Sequence, residues 1–272
     1  FKPQNMSNNA AVTPCGGEIG RAQALQARAC RVTPDIDMNP ILLKPQTDTG
    51  TQLIVRGKVD RNTTARDYYK LKDELLPVAI DSFERLENGA DLVVVEGAGS
   101  PAEVNLRQGD IANMGFAVPT GTPVILVADI ERGGVIANLV GTWHLLDTEE
   151  RALTAGYIIN KFRGDPSLFD DGLKRISQET GIRSFGVLPW FDGARHLPAE
   201  DALALGRYGE THDGSQIRIA IPAFSRVANF DDLDPLAAEP DVSLVMVQPG
   251  ETIPGDADLV LLTGSKSTRG DL

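Results

Sequence analysis

DLVVVEGAGSPAEVNL, residues 91–106, is the stretch on which the reading of this chain turns. Leu92, Val93, Val94 and Val95 form an apolar run too continuous for a half-exposed strand, and the run predicts a buried parallel strand. Glu96 then stands at its C-terminal end, ahead of Gly97, Ala98 and Gly99, whose small size lets another backbone or a ligand come close. Ligands of open α/β sheets bind at that edge. An ordinary strand-to-loop turn has the same sequence, so the motif alone leaves both readings open.

The pattern repeats on either side. Before it, Tyr68, Leu71, Leu75, Ala79, Phe83 and Leu86 recur every three or four residues, which predicts an amphipathic helix kinked at Pro77 and ended by Gly89. After it, a helical stretch around Ile111 to Val118 precedes PVILVADIERGG, an apolar run ending in Asp129. GGVIANLVGTWHLL is helical, AGYIINKFRGD is a strand ending in Asn160, Lys161 and Arg163, and a helix over Leu168 to Thr180 leads to the strand FGVLPW. Strand and helix alternate, so the expected fold is α/β, a doubly wound and mostly parallel sheet. Glu96, Asp129 and Asn160 then all fall at strand C-termini, and their convergence favours a nucleotide or substrate site.

The flanks are less regular. FKPQNM reads as a strand end running into a loop, with Lys2 where an ammonium reaches a phosphate. EIGRAQALQARAC has helical spacing and puts Glu18 at a helix N-terminus, where the dipole favours a carboxylate. NPILLKPQTDTGTQLIVRGKV reads as an extended segment, a turn over Thr47 to Gly50 and a strand from Gln52 to Val59, with Lys44 and Asp48 in tight loops. Residues Leu197 to Ser215 turn acidic and Gly-rich, and QIRIAIPAF, VSLVMVQP and ADLVLLTGS then supply three fresh apolar strands. The expected division is 1–200, a linker over 201–215, and the start of a second α/β domain over 216–272.

Bulk properties narrow the function. The chain has 272 residues, 42% of them hydrophobic, enough for a large core. A formal charge of -12 repels phosphate polymers and anionic membranes, so neither nucleic acid nor membrane is expected as a partner. No membrane-length apolar run or signal segment is visible, and the cytoplasm is the expected compartment. Cys15 and Cys30 are too few for a disulfide framework and are read as reduced thiols. A start at Phe1 without Met and a stop at Leu272 in an apparent loop suggest a piece of a longer protein.

With these blocks assembled, the sequence resembles the cobyric acid synthase family of glutamine-dependent amidotransferases. The resemblance rests on FKPQNM, GGEIGRAQALQA, MNPILLKP with TDTG after it, VVEGAGSPAEVNL, ADIERGGVIANLVGT, INKFRGD, GVLPW, LPAEDAL and ADLVLLTGSKSTRGDL, in that order along nearly the whole chain. It implies a first domain similar to dethiobiotin synthetase, of the P-loop NTPase fold, and a second resembling a class I glutaminase. The implied chemistry is cobalamin biosynthesis: amidation of adenosylcobyrinic acid a,c-diamide to cobyric acid with ATP, Mg²⁺ and glutamine, through acyl phosphates.

By the same resemblance, Glu96 matches the acidic residue of the EGAG motif and would be a Mg²⁺ ligand, and Lys2 matches a lysine that neutralises the transferred phosphate. Asn160 matches the asparagine that reads adenine. Lys161, Gly97 and Gly99 are counted in the same nucleotide site, and Glu18 is assigned more loosely to metal or phosphate geometry. Asp129, Asn5, Asp48 and Arg132 are weaker candidates for the corrinoid or metal side, and Gly264 and Ser265 are at most supporting residues of the glutaminase. The family's P-loop is expected before Phe1 and its glutaminase Cys and His beyond Leu272, so the fragment alone is expected to be incomplete. A homo-oligomer is left open. The competing readings are a cobyrinic acid a,c-diamide synthase-like amidotransferase and a non-catalytic nucleotide-switch ATPase on the same fold.

Overall fold

A computed structural model describes residues 1–46, 50–197, 217–225, 227–228 and 230–271. The chain forms two compact units: Phe1, Pro3–Tyr68 and Arg195–Leu272 make one, and Lys2 with Tyr69–Ala194 makes the other. Asp48 and the expected linker over 201–215 lie outside the described residues.

In the first unit, β1 (Gln4–Met6) pairs in parallel with β4 (Ile41–Pro45). β4 continues antiparallel into β5 (Gly50–Val55) and β6 (Lys58–Thr64), giving the order β1-β4-β5-β6. This sheet is mixed, parallel between β1 and β4 and antiparallel beyond. Its reversal is a tight turn at Arg56 and Gly57, with φ of 45° and 76°, a hairpin conformation that glycine supports without strain. A short antiparallel pair, β2 (Ala10–Val12) with β3 (Glu18–Gly20), precedes α1 (Arg21–Ala29), and α2 (Ala65–Tyr68) follows β6. Glu18 therefore belongs to a strand and not to a helix N-terminus. Its neighbour Ile19 is fully buried, and the hairpin ladder captures the residues that helical spacing alone had assigned to the helix.

The second unit carries the expected alternation. α3 (Lys72–Glu87) contains Pro77 and ends just before Gly89, and it buries Leu75, Ala79 and Phe83 on one face. α4 (Met114–Thr120) is followed by β7 (Val124–Asp129), α5 (Val135–Leu145), α6 (Thr148–Leu153), β8 (Thr154–Phe162), α7 (Asp170–Thr180) and β9 (Ser184–Pro189). β7, β8 and β9 pair in parallel in that order, as crossover helices require. Leu126, Tyr157 and Ile159 from the strands and Val135, Leu139 and Ile176 from the helices form their common core.

One expectation fails here. Residues 92–95 form no assigned strand, and Leu92 and Val94 are 78% and 74% exposed while Val93 and Val95 are half-buried. An apolar run records that a segment favours burial; it does not by itself fix a strand.

Back in the first unit, β10 (Ile217–Pro222) lies between β11 (Val242–Val247) and β12 (Leu259–Val260) in a parallel sheet, with α8 (Asp234–Ala237) and α9 (Thr268–Asp271) beside them in sequence. Ile219, Ile221, Leu233, Val242 and Leu244 are its core. Arg21 on α1 pairs with the buried Asp231 at 2.6 Å, which joins this sheet's segment to the N-terminal one. Among the described residues no helix is long and apolar enough to cross a membrane. Cys15 and Cys30 are both exposed and unbridged.

Candidate functional site

In the second unit the Glu96 carboxylate accepts a hydrogen bond from the Lys2 ammonium at 2.8 Å. The two ends of this pair sit in different surroundings. The Lys2 side chain is 8% exposed and the Glu96 side chain 40% exposed. A buried ammonium needs a countercharge, because its desolvation costs several kcal/mol. The Glu96 carboxylate is part-exposed, so a ligand can reach it.

The loop after Glu96 is shaped by a residue that sequence reasoning missed. Asn113 accepts from the Ala98 N–H at 3.1 Å and donates to the Ala98 carbonyl at 2.6 Å, so one amide side chain holds both polar groups of one loop residue. Gly97 leaves room for it: a Cβ there would lie 2.3 Å from Asn113 Oδ1. Asn113 is in turn oriented by Asp110, whose carboxylate accepts from the N–H groups of Ala112, Asn113 and Gly115. The available signal was an Asp three residues before an Asn at a helix start, a pattern of capping turns. Gly99, with φ of 66°, takes the left-handed conformation that glycine favours.

A second group lies where β7 and β8 end. Asp129 and Asn160 are register partners on these adjacent strands, as the sheet edge predicted. Lys161, also at that edge, has φ of 62°, unusual for a residue with a Cβ. Its N–H donates to Asn160 Oδ1 at 2.9 Å, and its ammonium donates to Asp129 Oδ2 at 2.7 Å. That bond holds the Asp129 carboxyl below the usual aspartate range and raises the Lys161 ammonium; the Glu131 N–H, bonded to Asp129, adds to the first effect. Beyond β8, the Arg163 guanidinium stacks 3.6 Å from the ring centre of Trp190, a contact no sequence pattern announced. Arg132 is exposed.

The other predicted residues belong to the first unit. Glu18 receives a hydrogen bond from the ammonium of Lys44. Asn5 is buried and donates to Gln23 Oε1 at 3.0 Å, a structural contact beneath α1. Gly264 and Ser265 lie between β12 and α9, where Ser265 bridges to Val227.

Among the described residues no three His, Cys, Asp or Glu side chains gather to hold a metal. Mg²⁺ on a nucleotide asks for less, since it keeps waters and takes one or two carboxylates alongside phosphate oxygens. The half-exposed Glu96 can supply one such carboxylate, so the donor set fits that use.

Comparison with known proteins defines the class first. Residues 62–195 match the AAA domain family, and residues 218–272 match the CobB/CobQ-like glutamine amidotransferase domain. The chain thus resembles an AAA domain over one stretch and a CobB/CobQ-like glutamine amidotransferase domain over another. It is 63% identical to the cobyric acid synthase of Jannaschia sp. (strain CCS1), 61% to that of Allorhizobium ampelinum and 61% to that of Bradyrhizobium diazoefficiens, each over all 272 residues. The chain spans 56% of each of these relatives. No solved structure matches it. The resemblance to the cobyric acid synthase family read from the sequence holds along the whole chain.

Proposed function

We propose that this chain carries the ATP-dependent amidoligase part of a glutamine-dependent amidotransferase that converts the side-chain carboxylates of a cobyrinic acid diamide to amides. Residues 1–200 form the amidoligase, 201–215 a connector and 216–272 the first part of the glutaminase. The observation that carries this reading is the Lys2–Glu96 pair beside the Asn113-clamped glycine loop. The names of the relatives point the same way, and the amidotransferase match over residues 218–272 favours it over a nucleotide-switch ATPase, which has no use for such a domain. The unbridged, exposed cysteines fit a reducing compartment such as the cytoplasm.

The chemistry asks for two steps. A carboxylate oxygen of the substrate attacks the γ-phosphorus of ATP, ADP leaves, and the resulting acyl phosphate has a good leaving group. Ammonia from glutamine then attacks the carbonyl carbon, inorganic phosphate departs, and the nitrogen loses a proton to give the amide. Phosphoryl transfer depends mainly on positioning and charge neutralisation. Lys2, held in place by burial, places an ammonium beside the moving phosphate. Mg²⁺, when bound through Glu96, neutralises phosphate oxygens as a hard Lewis acid. Gly97 and Gly99 would let the loop backbone approach the nucleotide, and Asn160 with Lys161, near the end of β8, would receive the base.

The test uses a polypeptide that extends this chain to the length of its relatives. Given ATP, Mg²⁺, glutamine and a cobyrinic acid diamide, it should release one ADP per amide formed. Glu96→Gln should lower that rate at least about a hundredfold, the scale of losing one charge-stabilising group. ATP turnover that ignores the corrinoid, or an unaffected Glu96→Gln rate, would contradict the reading.

A further inference from the structure

A second group of charged side chains lies wholly in the first unit, and the steps above make no use of it. Lys44 on β4 and Gln52 on β5 are register partners across an antiparallel ladder. Lys44 is 7% exposed and donates to Glu18 on β3. Lys266, between β12 and α9, donates to Gln52 Oε1 at 2.7 Å. β3, the β4–β5 ladder and the Lys266 segment thus bring two ammoniums, one carboxylate and one amide together.

The balance is unusual for this protein. The cluster carries one net positive charge in a chain whose formal charge is -12. The carboxylate is taken by Lys44, while Lys266 bonds to a neutral amide oxygen. Partial burial and the nearby Lys44 charge both act against the Lys266 ammonium, pushing its pKa down, and Glu18 only partly offsets them. An ammonium has three N–H donors and a primary amide two. Gln52 uses its oxygen toward Lys266, and its Nε2 is a donor on the same amide. Lys266, Gln52 and Glu18 are each partly open to solvent, so a ligand can reach them.

We propose that Lys266, Gln52 and Lys44, with Glu18 as the internal countercharge, form a binding site for a single carboxylate group. One added monoanion brings the cluster to neutrality and takes hydrogen bonds from Lys266 and Gln52. A phosphate, with about 1.5 to 2 negative charges at neutral pH, overshoots that balance beside Glu18. The same balance disfavours a cation at Glu18. The choice of ligand rests on the amidation reading, while the preference for a carboxylate is tested without it. The carboxylate has two sources, a free amino acid such as glutamine or an acid arm of a larger corrinoid, and these are separated below.

The experiment observes lysine side-chain ammonium signals by nitrogen-15 NMR in the 272-residue chain during titration with propionate, with neutral propionamide and with inorganic phosphate. The expected result is a saturable shift of the Lys266 signal with propionate, no shift with propionamide and weaker binding of phosphate. In Lys266→Gln the affinity for propionate, read from the Lys44 signal, should fall roughly tenfold or more, as for loss of a charge-assisted hydrogen bond. Gln52→Leu, at a half-buried position, should weaken it as well and serves if Lys266→Gln fails to fold. Titration with glutamine and with a cobyrinic-type corrinoid then assigns the source to whichever saturates the site at lower concentration. No saturable shift with propionate, an unchanged affinity in both variants, or tighter binding of phosphate than of propionate would overturn the proposal. Because ATP takes no part, failure of amidation would leave these outcomes intact.

Discussion

Lys161 meets two demands at once: its backbone sits at φ of 62° and its ammonium reaches Asp129 at 2.7 Å. The left-handed conformation costs a residue with a Cβ about 1–2 kcal/mol, so the surrounding turn has to hold it there. The ion pair contributes to that, with a definite pH signature. The Asp129 carboxyl has a folded pKa below its ordinary 3.8, first through the bond from Lys161. Its stabilisation is therefore complete above that ordinary value and is lost as pH falls through the lower folded one. The Lys161 ammonium is raised above its ordinary 10.5 by the same bond, so its share is complete below that value and lost as pH rises through the folded one. Both side chains are about two-fifths exposed, so solvent limits the pair to about 0–1 kcal/mol. Asp129→Asn should lower stability to urea at pH 7 by no more than that. The gap to the parent should close in strong acid, where both are uncharged at this position; a gap that persists there contradicts the assignment.

At Gly97 the constraint is steric. A methyl group 2.3 Å from Asn113 Oδ1 forces the amide off Ala98, so Gly97→Ala should cost about 1–3 kcal/mol. Asn113→Ala removes the same clamp, so the double variant should be less costly than the sum of the singles. Strict additivity in denaturant unfolding would show that the two do not act together. The Lys2 and Glu96 pairing was foreseeable because each residue sits in a block with a recognisable neighbourhood. Asn113 was not, since an amide's value there depends on a turn geometry that only the folded loop creates. The Arg163–Trp190 stack and the Lys44–Glu18 pair were hidden for the same reason, being contacts between segments rather than patterns within one.

Among the elements, those with strong period were the most legible. α3, α5 and α7, and the strands β7, β8, β9, β10 and β11, fall close to where apolar spacing placed them. Two misreadings share a cause. The run at Leu92–Val95 and the residues Glu18–Gly20 each have a local preference that tertiary context overrides: the first forms no assigned strand, the second joins a ladder. The short α6 went unseen because six residues show too little period, yet it carries a capping box. Asp147 accepts from the Glu150 N–H at 3.0 Å, and Glu150 accepts from the Asp147 N–H at 2.8 Å. Glu150 is also nearly fully buried and pairs with Arg107 at 2.8 Å. Asp147→Ala should therefore cost about 1 kcal/mol, and Glu150→Ala about 2–3 kcal/mol, since it removes a partner of Arg107 as well as a cap. Equal losses in urea midpoints would mean that the Arg107 contact contributes nothing.

At the scale of the molecule, the first compact unit is assembled from both ends of the sequence, and the second is one nearly continuous segment. One boundary between the two units falls at Arg195, and another at Tyr68. Composition cannot show that the segments before Tyr68 and after Arg195 share a unit; the Arg21–Asp231 and Lys266–Gln52 contacts do so only in the fold. The central claim is that the Lys2–Glu96 pair serves carboxylate activation by ATP. It is tested most directly by oxygen-18 transfer, using a cobyrinic acid diamide labelled in its carboxylates and a polypeptide extended to the length of the relatives. The account predicts one labelled oxygen in inorganic phosphate for each amide formed, with label transfer and amide formation falling together in Lys2→Met and Glu96→Gln. Amide formation that leaves the phosphate unlabelled would contradict it.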